Sequence, residues 1–421
     1  MSFCLDDGSE LLFGPASMDE PATAILHSTA APGEAPTRAQ IHMTDQTAIL
    51  PTETGDIAAK PRGFDKRLLF APLTLAVIVL GGFFAYRYIT PAKQIESIAV
   101  MPFVNESGNA DVEYLSDGMT ETLISSLTQL PNLNVKARST VFRYKGKQTD
   151  AKTIGKELNV QAILTGNVTQ RGDQLSLNLE LVDVTTENAI WSQRYERKQS
   201  DLVALQSEIA RDVSTKLKSK LSNAEVASVE KNYTANSEAY QLYLQGRYQW
   251  NKRDTKAFEK AVGFFKQAIE KDPNYALAYT GLADCYSLFP AYGNFRPKEY
   301  MPQAKQAALR ALELDPNLAE AHASLGEVIF YYDYDWAGAE KAFKRTIELN
   351  PKYATAHQWY AELLEGAGRH DEAIKEMSKA VELDPFSKII NQQMVQLLKV
   401  AKRFDKALMK NKKINELFTD E

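Results

Sequence analysis

Four tripeptides punctuate the second half of the chain: Lys271-Asp272-Pro273, Leu314-Asp315-Pro316, Leu349-Asn350-Pro351 and Leu383-Asp384-Pro385. Their prolines stand 43, 35 and 34 residues apart. A sequence that repeats itself at such an interval is restricted to stacked units, because one helical hairpin cannot bury its own apolar face. Proline ends each unit, since it can neither donate the helical hydrogen bond nor fit against the preceding turn.

The interior of each unit repeats as well. One has His357-x2-Tyr360-Ala361-x2-Leu364, then Ala373, Met377 and Ala380; the unit before it has His322-x2-Leu325-Gly326-x2-Ile329, then Ala339 and Phe343. An earlier unit has Tyr279-x2-Leu282-Ala283-x2-Tyr286, then Ala304, Ala308 and Ala311, with nine extra residues expected between its helices around 290–302. The first keeps Ala261, Phe265 and Ala268 behind a blurred leading helix over 238–250, and Ala407 carries the register into a fifth unit over 388–417. Small residues let two helices approach, and large ones fill the space between neighbouring hairpins.

This pattern resembles the tetratricopeptide repeat. The resemblance implies an all-α solenoid over 232–421, whose inner wall is lined by the leading helix of each hairpin. Between core positions those helices offer Thr280, Asp284, Ser287, Glu320, Glu327, Tyr331, Gln358, Glu362 and Glu365. That set is polar and rather acidic, and it reads either as a groove for a basic or extended peptide or as a plain solvated face. Leu277 and the run Phe330, Tyr331, Tyr332, Tyr334 and Trp336 can add an apolar anchor or pack between helices.

The first half reads differently. Residues 1–60 carry nine acids against two bases, a net of −7 that leaves +2 for the rest of a chain of net −5. With five prolines in those sixty residues and no sustained apolar periodicity, 1–66 is expected to be a disordered acidic leader. Residues 68–86 are 19 in a row without a charge, about the length that crosses a bilayer as a helix. A transmembrane helix is therefore expected over 67–88. Lys60, Arg62, Lys66 and Arg67 precede it, against Arg87 and Lys93 after it. That asymmetry favours an inner-membrane, single-pass protein with a cytoplasmic N-terminus and periplasmic C-terminal domains.

Between span and repeats the periodicities predict a small α+β domain over 95–222, of order β-α-β-α-β-β-β-α. Strands are expected over 96–103, 132–139, 160–170, 174–184 and 189–198. Helices are expected over 114–130, 150–158 and 201–221, the last capped by Asp201. Leu175, Leu177, Leu179 and Leu181 alternate as a half-buried strand does. The runs IAVMPF, YLSDGMTETLISSL, VKARSTVFRYKGK, GKELNVQAILTGNV and IWSQRYER resemble the TolB N-terminal-like (FlgO-like) domain across about 96–220. That family recurs in bacterial adenylate cyclases, transcriptional regulators and Ser/Thr kinases, commonly before tetratricopeptide repeats. The resemblance implies a non-catalytic sensory or extracytoplasmic module and supplies no catalytic residues.

Catalytic signatures are missing from the sequence. His322 and His357 fall at equivalent repeat positions, Cys4 and Cys285 show no ligand spacing, and Gly155-Lys156 lacks the frame of a phosphate loop. The near-neutral folded part offers no basic stripe for nucleic acid. No cofactor, metal site or small-molecule substrate is indicated. The expected function is a membrane-anchored protein–protein interaction scaffold or sensor with a protein or peptide partner, not an enzyme. The alternative is the non-catalytic part of a transmembrane Ser/Thr kinase, cyclase or regulator whose catalytic domain lies upstream.

Overall fold

The computed structural model describes residues 95–218, 221–293 and 295–418, all within one compact unit. They form a small α/β domain followed by five helical hairpins.

The α/β domain is built on a six-stranded mixed sheet. Strand β1 (Ser97–Val100) lies between β3 (Asn134–Val135) and β4 (Ala162–Arg171), parallel to both. Ile98, Ala99 and Val100 are wholly buried, which suits a short, continuously apolar run to a central parallel strand. The short β2 (Val104–Asn105) also pairs with β4 in parallel. From β4 the sheet continues antiparallel through β5 (Gln174–Asp183) to β6 (Ala189–Lys198), turning at Gly172, whose φ of 59° suits glycine. Leu175, Leu177, Leu179 and Leu181 all point into the core, as their alternation predicts.

Four helices accompany the sheet: α1 (Glu113–Thr128), α2 (Arg138–Phe142), α3 (Ala151–Leu158) and α4 (Leu202–Leu217). Leu115, Met119, Leu123 and Leu127 bury one stripe of α1, and Leu205, Ile209, Val213 and Leu217 bury one of α4. Asp150 caps α3 by accepting from the Thr153 N–H, whereas Asp201 makes no side-chain cap on α4. The strand expected over 132–139 is only two residues long; the chain turns into α2 instead, where the Arg138 guanidinium covers the Phe142 ring at 3.7 Å.

A short helix, α5 (Asn223–Val229), leads into the hairpins. These are α6 (Ser237–Trp250) with α7 (Thr255–Lys271), α8 (Ala276–Tyr292) with α9 (Pro297–Leu314), and α10 (Ala319–Val328) with α11 (Trp336–Leu349). Then come α12 (Ala354–Gly366) with α13 (His370–Leu383), and α14 (Lys388–Val400) with α15 (Phe404–Leu417). The blurred first leading helix is complete. The extra residues of the second unit lengthen its helices rather than its loop: α8 has 17 residues and α9 has 18. Phe289, Phe295 and Tyr300 close that turn with ring centroids 4.5–5.2 Å apart. A π-turn, Ile329–Asp333, ends α10 and tucks Phe330 edge-on against Trp336.

Phe265 of α7 shows why small residues recur. A Cβ placed on Gly246 of α6 or Gly281 of α8 would lie 2.5 Å from its ring, so both leading helices close on one aromatic side chain. The α/β domain joins the repeats through the same kind of contact. Gly118 of α1 sits against Leu244 of α6, which a Cβ would meet at 2.9 Å, and one hydrophobic core runs from the sheet into the second hairpin.

The expected fold class and location need correction. Among the described residues no helix is long and apolar enough to cross a membrane. The longest, α9, carries Lys298, Glu299, Lys305, Arg310 and Glu313. The architecture seen is a small α/β domain with a helical solenoid, with no transmembrane helix among the described residues, and gives no support to a single-pass inner-membrane location. The leader (1–66) and the expected span (67–88) lie outside the described residues.

Candidate partner-binding groove

The inner helices of the array are α8, α10, α12 and α14, and one position dominates their inward faces. Eleven residues after each unit-ending proline stand Asp284, Glu327, Glu362 and Gln396. A polar ladder of three carboxyls and an amide therefore follows directly from the repeat.

The first rung is tied to the α/β domain. Asp284 accepts from the Ser324 hydroxyl at 2.5 Å and lies 3.7 Å from Arg247 of α6. Arg247 in turn donates to Glu121 of α1 at 2.7 and 2.9 Å; Asn251 and Arg138 hold the other carboxyl oxygen of Glu121 at 2.7 and 3.0 Å. Burial acts to raise the Glu121 carboxyl, but Arg247 and Arg138 outweigh it and hold it below the ordinary carboxylate range. Further along, Lys352 donates to the Leu130 and Leu133 carbonyls at 2.8 Å, Ser139 hydrogen-bonds Asp384, and Arg143 covers the Phe386 ring at 4.1 Å. The α/β domain thus covers the start of the inner wall. Thr280, Asp284 and Glu320 line a cavity of about 760 Å³ left beneath it.

The expected exposure of the nine inner-wall residues therefore fails for most of them. Thr280, Asp284, Ser287, Glu327 and Gln358 are buried; Glu320, Glu362 and Glu365 are partly so; only Tyr331 is well exposed, at 45%. Ser287 spends its hydroxyl on the Asp284 carbonyl. Sequence spacing finds the inward face but not what covers it.

The second half of the wall is open. Tyr331, Glu362 and Glu365 line a recess of about 520 Å³ with Phe330, Gln393, Gln396 and Val400. The Tyr331 hydroxyl donates to Glu362 at 2.9 Å, and Gln358 donates to the other oxygen at 3.2 Å. Burial pushes Glu362 and Glu365 up from the ordinary carboxylate range. Glu327, one rung inward, is pushed well up by burial and then by Glu362 and Asp284, and its Oε2 has no partner among the described residues. The recess is acidic, with more negative charge than its own donors satisfy. The α14 side chains were absent from the expected set, although the ladder position, extended to the fifth unit, points to Gln396. Arg247, Glu121 and Lys352 had no sequence signal, since they act across the domain boundary. Leu277 lines the covered cavity, and Tyr334 is 73% exposed.

Comparison with known proteins follows this division. Residues 93–212 match the model of the HilA/YgeH-like transcriptional regulator, second domain, and residues 329–388 match that of the tetratricopeptide repeat. A putative adenylate cyclase 3 of Rhizobium meliloti is 31% identical over 236 residues, 56% of this chain and 40% of that protein. The transcriptional regulator HilA of Salmonella typhimurium is 26% identical over 137 residues, 32% of this chain and 25% of that one. The chain thus spans well under half the length of these relatives. The crystal structure of TTC0263, a thermophilic TPR protein of Thermus thermophilus, is 22% identical, covering 50% of this chain and 97% of that one with a TM-score of 0.33. The hairpins and the family model together make the C-terminal part of this chain an array of tetratricopeptide repeats.

Proposed function

We propose that the chain is a protein-interaction scaffold that takes a basic, extended peptide in the open second half of its inner wall. The observation that carries this reading is the recess between α10, α12 and α14, where Glu362 and Glu365 face an exposed Tyr331. A lysine or arginine side chain entering there offsets the repulsion among Glu327, Glu362 and Glu365, and Tyr331 supplies an aromatic wall against which its stem packs. The test compares a lysine-rich with a glutamate-rich synthetic peptide, titrated against the full chain. The lysine-rich peptide should bind, and Glu362→Lys/Glu365→Lys should weaken it about tenfold or more, roughly 1.4 kcal/mol. Equal affinity for both peptides, or no loss on the double substitution, removes the reading.

In this reading the α/β domain is a sensory or adaptor module of the TolB N-terminal-like kind, and the chain acts beside a signalling output of cyclase, kinase or transcription-regulator type without catalysing anything itself. The partial matches to a putative adenylate cyclase and to HilA favour that setting. Incubating the full chain with ATP should yield neither cyclic AMP nor ADP; turnover of either kind overturns the non-enzymatic part.

A further inference from the structure

The sheet of the α/β domain ends on a strand with one neighbour. Strand β6 runs for ten residues, pairs with β5 alone and forms the outer edge of the sheet. Its register shows which of its backbone groups are unused. Gly172-Asp173 is a two-residue turn that sets Arg171 against Gln174, the first and fourth residues of a β-turn, so the even-numbered residues of β5 bond β4 and the odd-numbered ones bond β6. Opposite those odd-numbered residues stand Trp191, Gln193, Tyr195 and Arg197. Ser192, Arg194, Glu196 and Lys198 thus turn their N–H and C=O groups outward. Two of these carbonyls take side chains from their own strand: Gln193 donates to that of Arg194 at 3.2 Å, and Arg197 donates to that of Glu196 at 2.9 Å. Among the described residues no backbone group pairs with this edge.

A long open edge is a template for another strand, and proteins keep such edges closed by shortening them, bulging them or placing proline on them. From Ser192 to Lys198, β6 has no proline, and the register shift of the β5–β6 pair lies beyond that stretch, at Leu181/Val182. Its charges select the partner strand. Arg194 and Glu196 flank Tyr195 with opposite sign, and both side chains are about two-thirds exposed, at 64% and 65%. A second β6 laid antiparallel and centred on Tyr195 sets Arg194 of each copy against Glu196 of the other, and Ser192 against Lys198. Centred on Arg194 or Glu196, like charges meet; centred on Gln193, Glu196 faces Ile190 and Arg194 faces Ser192. The strand is therefore complementary to itself in one register over most of its open length.

We propose that the edge of β6 is a self-association surface, to which a second copy of this chain adds its own β6 antiparallel, centred on Tyr195. The two sheets become one, held by backbone hydrogen bonds over Ser192–Lys198 and by two Arg194–Glu196 pairs. The contact uses the same patch on both copies and closes on itself, giving a dimer and not a filament. A ladder of this length buries little surface, so the dimer is reversible.

The test is sedimentation of the full chain at rising concentration, which should show a monomer–dimer equilibrium below about 100 µM. In the dimer the Arg194 and Glu196 amide hydrogens should exchange with solvent at least tenfold more slowly than in the monomer, whereas those of Gln193 and Tyr195, already bonded to β5, change little. Arg194→Glu and Glu196→Arg each bring like charges together and should each weaken association at least tenfold. Mixed in equal amounts, the two variants should pair with each other at least as tightly as the wild type, since each supplies the charge that the other lacks. Ser192→Pro is the backbone variant: it removes an outward N–H that no described residue uses, and should weaken association while leaving the melting temperature of the monomer nearly unchanged. Three results overturn the proposal: a chain that stays monomeric at about 100 µM, a dimer that both single charge reversals leave intact, or two reversed variants that fail to pair when mixed.

Discussion

At the residue scale, Glu327 shows what a repeat imposes on one side chain. Its position is shared by Asp284 and Glu362, but Asp284 has Arg247 and Ser324, and Glu362 has Tyr331 and Gln358. Glu327 sits between two acids, 6% exposed, with one oxygen unpaired among the described residues. Its carboxyl holds a proton more tightly in the folded chain than in the unfolded one, because burial and then Glu362 push it up. The folded state therefore binds the extra proton, and stability falls as pH rises above the ordinary carboxylate range. Glu327→Gln should stabilise the chain by about 1–2 kcal/mol at pH 7 and by little at pH 4. Urea unfolding at the two pH values checks this, and an equal gain at both would exclude the charge as the cause. The position of Glu327 on the inner face was legible in the sequence. Its burial was not, because spacing along one helix carries no information about the helices stacked on either side.

At the element scale, the proline that punctuates each unit works together with its neighbours. The residue before it accepts from the N–H two positions on: Asp272 from Asn274, Asp315 from Asn317 and Asn350 from Lys352. Its own N–H closes the preceding helix onto Ala268, Ala311 and Thr346 in turn. This is an Asx-turn followed by the fixed φ of proline, which ends one helix and turns the chain towards the next. Six residues after the proline a side chain returns to its carbonyl. His322 Nε2 lies 2.9 Å from the Pro316 oxygen, His357 Nε2 lies 3.1 Å from that of Pro351, and Asn391 donates to that of Pro385 at 2.9 Å. These histidines staple the turn. His357 is buried and also meets Glu376 through Nδ1 at 2.7 Å, so His357→Leu should cost about 1–3 kcal/mol, read by chemical unfolding. His322 is more exposed and His322→Leu should cost less; equal costs would argue against burial as the deciding factor. The repeat helices were readable because their pattern recurs. The VKARSTVF run was not, since its β-branched and aromatic residues suit a strand, while α2 is fixed by contacts from afar: Arg138 with Glu121, and Ser139 with Asp384.

At the scale of the whole molecule, the question is whether the α/β domain and the repeats unfold as one. Their joint combines an apolar seat, Gly118 on Leu244, with the charged knot of Glu121, Arg247, Arg138 and Asn251. Neither part was visible as a joint in the sequence, because the residues on its two sides lie more than a hundred positions apart and are ordinary where they stand. Both parts bind α1 to α6, so a single calorimetric transition is expected for residues 95–418 at pH 7. Gly118→Val places atoms where Leu244 already lies, and the two helices must separate by the width of the added methyl groups. The variant should unfold in two steps, with the repeats retaining much of their helicity after the sheet has melted. The knot predicts an acid dependence of opposite sign to that of Glu327. The Glu121 carboxyl is held below the ordinary range by its two arginines, so its contribution is present above that range and is lost as pH falls through its folded value. Acidification should therefore split the wild-type transition as Gly118→Val does at neutral pH. Arg247→Ala should do so already at pH 7, at a cost of about 2–4 kcal/mol, because it leaves Glu121 with Arg138 and Asn251 only and Asp284 with a hydroxyl. A single transition that persists in Gly118→Val and in Arg247→Ala would mean that the joint is held elsewhere, by Lys352 and the turns at Asn350 and Asp384.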